Sequence, residues 1–120
     1  MKRLIIFGLL AISMLIVSCN STSVAAIQAS LPDISSKPDG LYRGSYSLSG
    51  TPVSVVLDVA VQNNNIVAIN IVQHRRSPIG KKAEKITDEI IAQQSLNIDA
   101  ISGATGSSKA ILKAVENALQ

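Results

Sequence analysis

A strict alternation of apolar residues in the middle of the chain constrains the fold more than any other feature. Residues 52–62 read PVSVVLDVAVQ, and every second position from Val53 to Val61 is Val or Leu. A period of two in a β-branched run is typical of a strand with one buried face. The asparagines at 63–65 tolerate left-handed backbone geometry, and apolar residues return over 66–74, so the two segments predict a β-hairpin.

Further elements flank the hairpin. Residues 40–50, with spaced tyrosines and glycine breaks, predict a first strand that ends in a turn. Residues 80–95 and 107–120 have helical spacing, whereas 97–101 are expected to form an extended edge or a loop. The first helix is expected to bury Ala83, Ile86, Ile90 and Ile91, and the second Ala110, Ile111, Ala114, Val115, Ala118 and Leu119. This order predicts an α+β domain, a small antiparallel sheet with two helices packed on one face.

The first 18 residues are predicted to be an export signal that is not part of the domain. Lys2 and Arg3 form a basic start, residues 4–17 are a largely apolar run, and SCNS follows as a small-residue exit. A transmembrane anchor is the alternative. The apolar run is shorter than the roughly 17–25 residues that span a bilayer, which favours the signal.

The single cysteine, Cys19, follows the apolar run directly. The segment IVSC, residues 16–19, resembles a bacterial lipoprotein box, in which the cysteine thiol receives a diacylglycerol group; a chance cysteine at an ordinary cleavage site is the alternative. Lipidation places the protein on the extracytoplasmic face of a cell membrane, because two or more acyl chains anchor stably. Residues 20–38, rich in Ser and Ala, are then expected to be a flexible tether, and residues 39–120 the domain.

Charge and composition argue against two kinds of site. Without Lys2 and Arg3, nine Lys and Arg residues face eight Asp and Glu residues, so the mature net charge is +1. Tyr42 and Tyr46 are the only Tyr, Phe or Trp residues beyond the signal, too few for a base-stacking platform, so no nucleic-acid partner is expected. With Cys19 lipidated no thiol remains for a disulfide or a cysteine metal site, and no metal site is expected.

A bare, hydroxyl-rich turn precedes the second helix. Residues 99–108 read DAISGATGSS, in which Gly103 and Gly106 allow a sharp bend and Ser107 or Ser108 is the expected N-cap. The free N–H groups of a helix N-terminus suit a phosphate, and a plain loop with a cap is the alternative. The order of residues fits neither a Walker loop nor a Gly-x-Ser-x-Gly hydrolase, and the only histidine, His74, lies far back in the sequence.

The segment DAISGAT, residues 99–105, resembles the Asp-x-x-[Ser/Thr]-Gly-Ala-Thr motif of the FMN-binding domain family. The similarity extends over residues 40–119, through the first strand, the hairpin and the helix–motif–helix end. That family includes flavin-bearing subunits of sodium- and proton-linked respiratory complexes, in which the last Thr of the motif is joined to FMN by a phosphodiester bond. A separate, magnesium-dependent flavin transferase makes this bond from FAD.

The resemblance implies a set of cofactor-binding residues. Thr105 is the implied FMN acceptor, and the other matching positions are Asp99, Ser102, Gly103 and Ala104 in the motif, Ser107 and Ser108 in the following helix, and His74 at a strand end. Where many members continue with Glu-Thr-Pro-Gly after the histidine, this chain reads RRSPIG over residues 75–80. His74 is therefore either a flavin contact or an exposed strand-end residue, and Arg75 and Arg76 either approach the flavin or form a solvated pair.

Three functions are compatible with these features. The resemblance implies a membrane-anchored extracytoplasmic electron carrier with FMN on Thr105, a substrate of the flavin transferase and not itself an enzyme. Its partners are expected to be redox proteins such as a membrane quinone-linked reductase. The second function is a non-redox surface lipoprotein whose turn binds an anion or is purely structural. The third is a reductase that uses FMN on a small molecule, for which the sequence offers no evident substrate pocket.

Overall fold

The computed structural model describes residues 27–76 and 78–120. In this part of the chain one antiparallel sheet has the strand order β1 (Gly40–Ser47), β2 (Ser54–Gln62) and β3 (Asn65–Arg75). A 3₁₀ helix (Pro78–Lys85) follows, and then the α-helices α1 (Ile86–Gln93) and α2 (Thr105–Leu119). The predicted α+β class, a small antiparallel sheet with two helices, is confirmed.

The hairpin forms where the alternation of apolar residues predicted it. β2 is the central strand and pairs with both β1 and β3. Asn63 and Asn64 have φ angles of 52° and 62°, which is the left-handed geometry that asparagine tolerates. The four inward residues of β2, from Val55 to Val61, are at most 2% exposed. The period of two therefore marks the face of the sheet that the helices cover.

Helix α2 covers the buried face of β1 and β2 and also contacts the 3₁₀ helix. All six residues predicted for its apolar stripe are buried, and Leu112 and Glu116 are buried with them. The helix comes closest to β1 at Gly44, where an added Cβ would collide with the carbonyl oxygen of Ala114 and the Cβ of Ala118. A side chain at this point of β1 is excluded because the helix backbone occupies the space.

The segment between the sheet and α2 differs in part from the expectation. The helix predicted over residues 80–95 is a 3₁₀ helix as far as Lys85 and an α-helix only over Ile86–Gln93. Gln94 takes left-handed geometry, with a φ of 50°, and ends α1 there. Residues 97–101 form a loop without regular structure, which was one of the two expectations.

The N-terminal segment packs against the domain along its described part. Ile34 is 7% exposed and belongs to the core, and Ala29 and Leu31 pack against that core. The Ser30 N–H donates a hydrogen bond to Glu116 Oε2 at 2.6 Å. Residues 27–38 are therefore not the free tether that the sequence predicted. The expectation failed because isolated apolar residues in a Ser- and Ala-rich segment show no sustained period.

The predicted signal, the lipidation site Cys19 and the tether up to residue 26 lie outside the described residues. Among the residues that the structure does describe, no helix combines the length and the hydropathy needed to cross a membrane. The lipid anchor stays a prediction.

Glu116 is a buried acid that holds the N-terminal segment on α2. Its side chain is 8% exposed and accepts hydrogen bonds from the Ser30 N–H and, at 2.5 Å, from Lys113 Nζ. Burial favours a higher pKa for Glu116, but the hydrogen bonds from Lys113 and Ser30 outweigh it, so the pKa lies below the ordinary value of a glutamate. The ionised carboxylate is thus the form that stabilises the fold.

We expect Glu116→Gln to lower the free energy of unfolding by about 1–2 kcal/mol near neutral pH, because a charged hydrogen-bond acceptor is lost. Folding lowers the pKa of Glu116, so its contribution is present above the pKa of the unfolded chain and is lost as the pH falls through that of the folded protein. Urea denaturation of both proteins between about pH 3 and pH 7 measures this, and their difference should shrink in acid.

Two further measurements locate the effect. Amide exchange at Ser30 should quicken in Glu116→Gln, because a neutral amide oxygen is a weaker acceptor for its N–H than the carboxylate. Asp88→Asn removes an acid from an exposed position of α1 and serves as the matched control, which should leave Ser30 exchange unchanged. A stability difference that stays constant with pH, or slow exchange at Ser30 in the variant, contradicts the role given to Glu116.

Candidate functional site

The loop that carries the motif, residues 94–104, is fastened to the edge of the sheet where it begins. Gln94 Nε2 donates to the carbonyl oxygen of Ile66 at 2.8 Å, and Gln94 Oε1 accepts from the Ile66 N–H at 2.8 Å. One side-chain amide thus pairs with the edge of β3 as a neighbouring strand would. Leu96, 2% exposed, adds an apolar contact to the core. Neither contact is evident from the sequence, since a single Gln carries no local signal for such a contact.

The glycine bend of the motif is held in place by Ser108. Gly103 has a φ of +80°, and the Ala104 N–H donates to the carbonyl oxygen of Ile101 at 2.9 Å, which closes a turn. Ser108 Oγ donates to the Ala104 carbonyl oxygen at 2.7 Å and accepts from the Ile101 N–H at 3.0 Å. Because Ser108 is fully buried, its hydroxyl ties both ends of the bend to α2.

The start of α2 corrects the predicted helix cap. The helix begins at Thr105, its N-cap residue is Ala104, and no side chain caps it. Ser107 and Ser108, predicted as N-cap candidates, lie inside the first turn and are 4% and 0% exposed. The physical reason is that α2 is placed by its packing on the sheet, which takes both serine hydroxyls into the interior and away from the cap position.

Thr105 stands outside this hydrogen-bond network. It is exposed, and its hydroxyl has no hydrogen bond within the residues that the structure describes. The first N–H to find an acceptor inside α2 is that of Ser108, which leaves the N–H groups of Thr105, Gly106 and Ser107 available at the helix N-terminus. Lys109 follows one turn later on the same side of the helix. This end of α2 therefore presents a free hydroxyl in surroundings that favour a phosphate.

An open groove of about 520 Å³ adjoins the motif. Glu89 and Gln93 of α1 form one wall, and residues 97–102 form the other. Asp99, Ser102 and Gly103 are exposed, whereas Ala104 is buried beneath the bend. Of the predicted motif residues, Asp99 and Ser102 thus line the groove, and Gly103, Ala104 and Thr105 do not.

His74 lies under the first turn of α2, with its side chain only 2% exposed. Its Nδ1 is 3.1 Å from Glu84 Oε1, and its Nε2 is 3.0 Å from Ser107 Oγ. Gly80 covers the same hydroxyl, because an added Cβ there would stand 2.6 Å from Ser107 Oγ. His74 is therefore not the exposed strand-end residue that was one expectation. It links β3, the 3₁₀ helix and α2.

Glu84, His74 and Ser107 contact one another in the order of a hydrolase triad. The sequence does not show this arrangement, because His74 and Ser107 lie 33 residues apart. A serine nucleophile must reach its substrate, and Ser107 and the His74 side chain are both buried. In this conformation the three residues form a structural link and not a catalytic site. Direct contact of His74, Ser107 or Ser108 with a cofactor stays a prediction.

The two arginines that follow His74 differ in their surroundings. Arg75 is exposed. Arg76 Nε lies 3.7 Å from Glu84 Oε1, the oxygen that also faces His74. The pair is therefore not uniformly solvated, because one member belongs to the link beneath α2.

We expect His74→Ala to lower the free energy of unfolding by about 1–3 kcal/mol, because the buried Ser107 hydroxyl loses its partner. His74→Gln should recover part of the loss, since its amide extends toward the position of Nε2. Urea denaturation measures both variants, and Gln73→Ala at the exposed neighbouring position is the control. Equal stability of His74→Ala and the control contradicts the structural link.

Comparison with known proteins agrees with this geometry. The family model of the FMN-binding domain matches residues 50–120, which contain the hairpin, both α-helices and the motif. The N-terminal segment and β1 precede the matched residues. No curated protein matches the chain. The chain belongs to the FMN-binding domain family, and FMN is its cofactor.

Proposed function

We propose that this protein is an electron carrier with FMN attached covalently to Thr105. The observation that carries the proposal is the state of the Thr105 hydroxyl, which is exposed and has no hydrogen bond within the described residues. Ser107 and Ser108 in the same turn are buried and engaged. Ser102 is also exposed, but it lies before the bend and away from the N–H groups at the start of α2.

Attachment is expected to need a separate, magnesium-dependent flavin transferase, because no base among the described residues is hydrogen-bonded to the Thr105 hydroxyl. Thr105 Oγ forms a bond to the phosphorus of the FMN half of FAD, the pyrophosphate bond breaks, AMP leaves, and the hydroxyl proton passes to a base of the transferase. The N-terminus of α2 favours the remaining phosphodiester charge by roughly 0.3–1 kcal/mol, and Lys109 adds an opposite charge one turn away. The exposed Asp99 and Ser102 are accessible for recognition by the transferase.

A covalent link suits the shallowness of the groove. Flavin sites usually enclose the ring between apolar or aromatic walls, whereas this groove is open, has no aromatic residue in its lining, and mixes polar side chains with Ile98, Ala100 and Ile101. The chain has no Trp, and its single Phe lies in the predicted signal. We expect weak non-covalent affinity, which a link replaces with a high local concentration. The link also prevents loss of FMN from a protein outside the cell.

The open groove favours electron exchange with other proteins over turnover of a small substrate. When bound, FMN supplies one- and two-electron redox chemistry, and the protein supplies position and charge. The groove beside Asp99 is open to solvent, whereas a reductase site encloses its substrate. We therefore propose that redox proteins, such as a membrane quinone-linked reductase, give and take the electrons.

We also propose that a lipid on Cys19 keeps the carrier on the extracytoplasmic face of a cell membrane. The support is the sequence IVSC directly after a short apolar run. Ile27, the first described residue, is eight residues beyond Cys19, and a chain of that length spans at most about 26–29 Å. Residues 27–38 pack on the domain, so only residues 20–26 separate it from the anchor. The motif is therefore held nearer to the membrane than it would be if the chain were a free tether up to Pro38.

Co-expression with the flavin transferase should add one FMN moiety, less one water, to the wild-type protein. Thr105→Ala should add none, because the acceptor oxygen is absent. Thr51→Ala, at another exposed threonine, should be modified like the wild type. Intact-mass analysis and flavin fluorescence after denaturing electrophoresis measure the product. Flavin retained on Thr105→Ala refutes the acceptor, and its absence from all three proteins favours the non-redox reading of the turn.

In the native host, labelled palmitate should be incorporated into the wild-type protein and should be lost in Cys19→Ser, which lacks the thiol. Ser21→Ala keeps the thiol and is the matched control. The membrane fraction should contain the wild type and this control but be depleted of Cys19→Ser. Palmitate label on Cys19→Ser contradicts the proposed anchor and leaves the proposed FMN acceptor unaffected.

A further inference from the structure

Charge is divided unevenly between one segment and the rest of the domain. Residues 75–85 contain one acid, Glu84, and five cations, Arg75, Arg76, Lys81, Lys82 and Lys85. The other residues between 19 and 120 contain four Lys and Arg and seven Asp and Glu. The segment thus has a formal charge of +4, whereas the remaining residues sum to −3. A net charge near zero conceals a strong asymmetry.

The three lysines of this segment face water, whereas its acid is paired with other residues. Lys81, Lys82 and Lys85 are exposed, and their ammonium groups have no hydrogen bond or ion pair within the described part of the chain. Glu84 Oε1, by contrast, faces His74 and Arg76. An open groove of about 530 Å³ is lined by these three lysines together with Glu84 and Asp88. The surface that results is positive and has room for acidic side chains.

The segment is also joined to the start of α2. Gly80 packs directly on Ser107, and the hydrogen bond from His74 to Ser107 ties the end of β3 to the same turn. Ser107 is two residues from Thr105. The positive surface therefore lies close to the residue proposed to carry FMN.

We propose that a basic face, defined by Lys81, Lys82 and Lys85, docks an acidic protein that exchanges electrons with the cofactor. This inference rests on the proposed function, because the face matters for electron exchange only if FMN lies beside it. Complementary charge accelerates encounter and orients both molecules. The uneven charge of this domain turns the end with Thr105 toward a negative surface, which brings the redox groups together.

An anionic membrane is the competing occupant, and two observations favour the protein. Two or more acyl chains on a lipoprotein anchor stably without a basic patch. The large apolar residues that are most exposed in the described chain, Leu41, Val67 and Val72, lie on strands and not among the lysines. A basic surface without adjoining apolar residues is suited to a salt-sensitive, reversible encounter.

The kinetic test uses the FMN-loaded mature lipoprotein in a neutral detergent, reduced before mixing, with oxidised flavodoxin as the small acidic acceptor. We expect the second-order rate constant for electron transfer from the lipoprotein to flavodoxin to fall about tenfold from low to high salt. Lys81→Gln/Lys82→Gln/Lys85→Gln should lose about fivefold at low salt. The control Ser45→Glu/Ser47→Glu/Gln73→Glu changes net charge equally at exposed positions of β1 and β3, and should lose about twofold or less.

Binding measurements separate this inference from the proposed function. Thr105→Ala keeps the basic face, so it should bind fluorescent flavodoxin with the same salt dependence as the wild type, whether or not Thr105 is the FMN acceptor. The triple glutamine variant should not show this salt-dependent binding. Equal behaviour of that variant and the acidic control overturns the proposal. A second outcome also overturns it. If flavodoxin binding does not depend on the lysines, and the Cys19→Ser protein binds phosphatidylglycerol-containing vesicles through them, the face is a lipid-binding surface.

Discussion

The packing of α2 on the sheet is the interaction on which the rest of the structure depends. Its backbone passes so close to β1 that only a glycine fits at position 44, opposite Ala114 and Ala118. Ten of its 15 residues are buried, so a rotation or shift of the helix would expose apolar surface along its whole length. The core therefore fixes where α2 begins, and with it the position of Thr105. The proposed acceptor is placed by a rigid element and not by the loop that precedes it.

Three hydroxyl side chains in one turn have different fates because of this placement. Ser108 braces the glycine bend, and Ser107 meets His74, so both use their hydrogen-bonding capacity inside the protein. Thr105 lies at the tip of the helix, where no preceding turn covers it. A buried hydroxyl stabilises the site, while an exposed one is available for chemistry. Similar side chains thus support the bend and supply the proposed FMN acceptor.

Two acids, Glu116 and Glu84, hold peripheral segments to this core. Glu116 accepts from the Ser30 N–H and keeps the N-terminal segment on α2. Glu84 faces His74 and Arg76 beneath the first turn of the same helix. Because Glu84 is paired with His74 and Arg76, the lysines around it have no acidic partner from their own segment. The position of Glu84 therefore contributes both to the contact between His74 and Ser107 beneath α2 and to the positive surface of the neighbouring lysines.

The sequence by itself determined the hairpin, the buried stripe of α2, the α+β class and the position of the motif, because periods of two and 3.6 residues and a glycine bend are local properties. Tertiary structure decided which residues support the motif. The contacts of Gln94 with Ile66, of His74 with Ser107 and of Ser30 with Glu116 join residues 28, 33 and 86 positions apart. No local pattern encodes such pairs, since each exists only after the helices have packed on the sheet. The same packing decided that α2 begins at Thr105, because burial, and not cap preference, chose which hydroxyl stays in water.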